Sequence, residues 1–138
     1  MAEATLTRKL GIRPGQRGLV LHAPAELPDP LGGPPAGVTL TTDLPPAAAP
    51  PFDFALVFFP DKAAVDQWGP LVVAALRPDG LLWAAYPKIR GRAQPDLTRD
   101  RGWDALTALG LRVVSAVAID DVWSGLRFRP ITAGTTGR

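Results

Sequence analysis

The chain has 138 residues, enough for one domain with a core of its own and no covalent staples. It has no cysteine, and His22 is its one histidine, which excludes disulfides, thiolate metal sites and His-based zinc or iron centres. The formal net charge is only +2, and with Lys9, Lys62 and Lys88 as the lysines, twelve of the fifteen basic residues are arginine; with abundant Ala, Pro and Gly this is GC-rich drift, and it names no partner.

In chain order, Leu6 to Gln16 reads as a short helix followed by a Pro14-Gly15 turn. Gly18 to Ala23 is a brief apolar run bounded by breakers, as expected of a strand covered on both faces. Val38 to Asp43, rich in Val and Thr, is a second strand. Nine of the sixteen prolines fall between Pro24 and Pro51, so no long helix forms there. A loop is expected, with one short helical turn near Glu26.

Phe52 to Phe59 is the strongest strand and too apolar for an exposed face, which places it centrally. Pro60 and Asp61 end it, and Asp61 can cap the next helix by accepting from an orphan backbone N–H. That helix runs to about Leu76, with a kink or restart near Trp68-Gly69 imposed by Pro70. Arg77-Pro78-Asp79-Gly80 reads as a turn, and Leu81 to Tyr86 as a fourth buried strand. After a loop from Pro87 to Pro95, Asp96 can cap a helix in which Trp103, Leu106 and Leu109 recur at core spacing until Gly110 stops it. Val113 to Ile119 and Trp123 to Arg129 are two more strands, joined through Asp120 and Asp121 as an antiparallel hairpin.

Strands alternating with helical segments imply right-handed crossovers and a three-layer, Rossmann-like α/β fold on a mostly parallel six-stranded sheet. Residues 1–131 are expected to form one domain, and 132–138 a flexible Thr/Gly-rich tail. No apolar run reaches the roughly 18 residues of a membrane span, and Met1 to Thr5 lacks the features of a signal peptide. A cytoplasmic protein without membrane contact is expected.

The second half resembles the class I methyltransferase fold. The residues that carry this are Phe52-Asp53-Phe54-Ala55-Leu56-Val57, Leu76-Arg77-Pro78-Asp79-Gly80-Leu81-Leu82 and Ala108-Leu109-Gly110-Leu111. In that family they correspond to the strand after the cofactor half, a Leu-x-Pro-Gly-Gly turn, and the lead into a final hairpin. Leu10 to Leu21 is similar to the lead into the family's first strand. The resemblance implies a truncated methyltransferase-like sheet of order 2-1-3-4-6-5 with the last strand antiparallel. Over most of its length the chain also resembles a bacterial family of short proteins known as a domain of unknown function. That likeness is sharpest at Tyr86-Pro87-Lys88, Asp96-Leu97-Thr98, Gly102-Trp103 and Ile119 to Phe128. It implies a fold and a bacterial setting, and no activity.

Two places could hold a ligand. In methyltransferases a glycine loop after strand 1 cradles S-adenosylmethionine, because glycine lets backbone approach the ligand. Here that segment, His22 to Pro28, has no glycine and two prolines. His22, and Asp43 where the family holds the ribose, are the cofactor-side candidates; either could equally be a cap or core residue. The other place is the carboxyl edge of strands 4 and 5, with Tyr86, Lys88, Arg90, Arg92, Asp96, Asp120, Asp121, Trp123 and Ser124. Lysine and arginine there suit an anion, although a purely structural network fits the same residues. Adjacent Asp120 and Asp121 point to opposite faces of an extended strand, and Ser124 lacks a nucleophile elbow, so no catalytic residue is assigned.

Lys88 to Arg101 carries five positive and two negative side chains, and Arg8, Lys9, Arg13 and Arg17 form a second basic set, but without interleaved aromatics. The sequence therefore points first to a non-catalytic or degenerate methyltransferase-like protein that binds a small anion or a protein partner, with no cofactor. An S-adenosylmethionine-dependent enzyme with an altered loop is the alternative, and weak nucleic-acid binding is a further, less favoured one. A homodimer stays open.

Overall fold

In the computed structural model the described residues are 10–23, 37–42, 51–88, 97–98, 101–119 and 122–130. β3 (Phe52–Phe58) is the centre from which the rest follows. Its run Phe-Asp-Phe-Ala-Leu-Val-Phe has apolar side chains for both faces, so it is stable only where both faces are covered. β1 (Arg17–Leu21) pairs with it on one side and β4 (Leu76–Pro87) on the other, both parallel. β2 (Thr39–Thr41) lies outside β1. β6 (Trp123–Pro130) lies antiparallel between β4 and β5 (Leu111–Ala118). The order is β2-β1-β3-β4-β6-β5, the Rossmann-like arrangement expected from the sequence, with β6 reversed.

Among the described residues two helices cover one face. α1 (Lys62–Ala75) presents Val65, Gly69 and Val72, one turn apart, to the sheet. Asp61 caps it: its Oδ1 accepts from the Ala64 N–H at 3.0 Å, a contact type that contributes about 1 kcal/mol. Lys62 and Asp66 pair at 2.9 Å one turn later, a half-exposed contact that contributes a few tenths of a kcal/mol. α1 and α2 (Asp104–Thr107) pack Val65, Val72 and Leu106 onto Leu19, Leu21, Ala55, Val57, Leu82 and Phe128. The opposite face gathers Val20, Phe54, Leu56, Phe58, Trp83 and Trp123 under Leu10 and Ile12. There the Trp83 Nε1–H donates to the Leu10 carbonyl at 2.8 Å, wholly buried. Gly18 is required by this layer, because a Cβ on it would overlap the Phe54 ring.

Several sequence expectations are corrected. The helix expected to reach Gln16 is over at Leu10, and residues 14 and 15 form the turn. α1 passes through Pro70 as one helix without a restart, since burial of Val65, Gly69 and Val72 holds both halves on the sheet. The Arg77–Gly80 segment is not a turn between helix and strand but part of β4. Phe52 pairs with Leu76 and Phe54 with Leu81, so the extra residues of β4 are absorbed as a bulge. The same irregularity sends Phe52 and Phe54, two residues apart, into opposite core layers. Asp53, between them, is an anchor: Oδ2 accepts from the Arg17 N–H at 2.8 Å and Oδ1 from Arg77 Nε at 2.9 Å. α2 is a single turn, in which Leu106 is buried but Leu109 is 49% exposed. Gly110, at φ 86°, ends it as expected. Trp103 precedes the helix as a core residue whose Nε1–H donates to the Thr98 carbonyl at 2.7 Å. The expected helical turn near Glu26 and the tail 132–138 lie outside the described residues.

Candidate functional site

β1, β3 and β4 run in parallel, so their carboxyl ends share one edge, and antiparallel β6 begins there. From β1 the chain goes to β2 on one side and then to β3 on the other. The crevice outside the carboxyl ends at such a reversal is where open α/β sheets bind ligands. A cleft of about 380 Å³ opens at this place, lined by His22 after β1, Pro60 after β3, Ala64 and Trp68 of α1, and Trp123 of β6. The volume falls in the range of small-molecule pockets, about 300–1,000 Å³.

His22 is exposed and has φ 61°. It is the one non-glycine residue with positive φ among the described residues. A left-handed residue with a side chain is strained by about 1–2 kcal/mol, and such strain collects at functional turns. The His22 ring meets Trp68 edge-on, with centroids 4.8 Å apart and planes at 68°. Across the cleft Trp123 is buried, its ring perpendicular to Phe58 at 5.1 Å. The described walls are thus aromatic and apolar.

The sequence-derived set divides. Tyr86 is buried in the helix-side core, edge-on to Trp103 at 6.0 Å, and Ser124 is its half-buried partner across the β4–β6 ladder. Lys88 is half-buried at the rim, and its backbone N–H donates to the Val122 carbonyl at 2.7 Å. The Ile119 N–H donates to the Trp123 carbonyl at 3.0 Å. Lys88, Ile119, Val122 and Trp123 therefore meet at one edge. Arg90, Arg92, Asp96, Asp120, Asp121 and Asp43 lie outside the described residues. Sequence reasoning missed Pro60, Ala64 and Trp68. Trp68 was findable: it lies three residues after Val65, on the margin of the α1 apolar stripe nearest the strand ends. Among the described residues no cluster of His, Asp and Glu could hold a metal, and no helix is long and apolar enough to cross a membrane.

No family model and no curated protein matches the chain. Solved structures do. The chain is similar to the ribosomal protein L11 methylase of Lactobacillus delbrueckii subsp. bulgaricus, with TM-score 0.60 and 11% identity over 93% of this chain and 76% of that one. It is similar to YjhP from E. coli, with TM-score 0.61 and 16% identity over 93% and 91% of the two chains. It is also similar to a SAM-dependent methyltransferase from Aquifex aeolicus, with TM-score 0.60 and 14% identity over 91% and 88%. At identities this low, the TM-scores establish a shared methyltransferase-like fold alone.

Proposed function

We propose that the chain is an S-adenosylmethionine-dependent methyltransferase with an altered cofactor loop, and that the His22–Trp68–Trp123 cleft is its cofactor site. The similarity to methyltransferase structures supports this reading better than the non-catalytic anion binder that the sequence pointed to first. The observation that carries it is the left-handed backbone at His22. In the family, glycine after the first strand lets the backbone approach the ligand closely. Here His22 takes a glycine-like conformation at that position, beside a cleft of ligand size.

The residues suit the group. Aromatic faces attract a compact cation such as a sulfonium, by about 0.5–2 kcal/mol per ring. Trp68 and Trp123 provide such rings in the lining of the cleft. When bound, the cofactor supplies an electrophilic methyl carbon. Lys88 and Ser124 are assigned to the acceptor side of the rim. Tyr86 supports them from the core.

Calorimetric titration with S-adenosylhomocysteine tests this. Micromolar to submillimolar binding is expected, and Trp68→Ala should weaken it about tenfold or more with an unchanged far-UV spectrum. No heat and no thermal shift at millimolar cofactor would sink the proposal.

A further inference from the structure

The β5–β6 ribbon has two unlike faces. On the helix side stand Leu126 and Phe128. On the other, Arg112 of β5 lies directly across from Arg129 of β6. Arg127 is two residues along β6, hence on the same side, and faces Ser115. Directly opposed Cα atoms are about 4.5–5.5 Å apart, and two residues along a strand span about 7 Å. Three guanidinium groups therefore rise from one small area of sheet.

Arg112 and Arg129 are exposed; Arg127 is half-buried, and its Nε is fully buried without a hydrogen-bond partner. Burial first, and then the charge of Arg129, hold the Arg127 guanidinium below its ordinary pKa. Among the described residues no carboxylate pairs with any of the three; the ion pairs there are Lys62–Asp66 and Arg77–Asp53. Like charges directly opposed on a sheet destabilise it. This ribbon carries that cost without a counter-charge among the described residues. Leu10 and Ile12 pack on the same side of the sheet, and exposed Arg13 follows them.

We propose that this arginine face, Arg112, Arg127 and Arg129, docks the phosphodiester backbone of a nucleic acid. A single small anion could bridge Arg112 and Arg129 but would leave Arg127 unanswered a strand step away. A backbone with repeated charges answers all three, and the guanidinium fork matches phosphate oxygens. Phe54, Phe58, Trp83 and Trp123, the aromatics of this layer among the described residues, are all buried, so they offer no face for a base to stack on. Recognition is of the backbone and independent of sequence.

The test is fluorescence anisotropy of the full chain with a labelled single-stranded RNA of about 20 nucleotides, at several salt concentrations. Three phosphate contacts predict a slope of log K against log salt near about −2. Arg112→Thr/Arg129→Thr should weaken binding about tenfold or more at low salt and flatten the slope by about 1.4. It should also raise the melting temperature, because the repulsion is gone. Arg129→Glu, which sets a carboxylate opposite Arg112, should do both more strongly. Unchanged RNA binding in these variants overturns the proposal. So does a lower melting temperature in both, which would make the arginines structural, and so does wild-type binding to anionic vesicles or inorganic phosphate but not to RNA.

Discussion

β3 and β5 are both short apolar strands of one sheet, and they have opposite fates. Of the seven residues of β3 only Asp53 escapes full burial; of the eight in β5 only Leu111 is fully buried. Val113 and Val114 are 37% and 39% exposed, in a run that reads as apolar as any core strand. The difference is position. β3 has a strand on each side and a packed layer on each face, whereas β5, among the described residues, has β6 alone beside it. Apolar content makes a strand, but its place in the order decides how much burial follows.

This contrast can be broken by substitution. Phe54→Ala, at the centre, is expected to cost about 3–5 kcal/mol through lost burial and a cavity over Gly18, read from the urea midpoint. A loss below about 1 kcal/mol would mean that the central layer can collapse. Trp83→Phe keeps a smaller aromatic ring in the layer but leaves the buried Leu10 carbonyl without its donor, and is expected to cost about 1–3 kcal/mol. Double-variant additivity between these two would show that Phe54 and Trp83 act separately within the layer. Val114→Lys, at the edge, is expected to shift stability by no more than about 0.5 kcal/mol. A much larger loss, with a change in sedimentation, would show that β5 is covered in solution by a second chain.

The central strands were legible because their apolar runs have no other stable arrangement. Asp61 as a cap and Gly110 as a stop were legible because each satisfies a local need: an acceptor for an orphan N–H, and a left-handed residue after a helix. Arg77–Gly80 was not, since turn chemistry alone does not reveal that Phe52 pairs with Leu76 and draws the segment into β4. Leu109 has core spacing with Leu106, yet the helix ends at Thr107, so Leu109 falls beyond it and its spacing no longer sets its face. At the candidate site, His22 was visible from its place after β1. Pro60 was not, and Trp68 was legible only as the margin of the α1 apolar stripe, because what joins them to His22 is the reversal of strand order, a long-range fact.

Apart from the Arg77–Gly80 extension of β4, the sequence by itself determined which segments are strands, the mostly parallel sheet, and the edge on which Lys88 and Trp123 meet. Those follow from hydrophobic runs, breakers and the handedness of crossovers, which act over a few residues or one connection. Only the tertiary structure decided the left-handed turn at His22, the aromatic cleft beside it, and the stacking of Arg112, Arg127 and Arg129 on one face. Each depends on register between segments distant in the chain, and pairing one residue out of step would send those side chains to the other side.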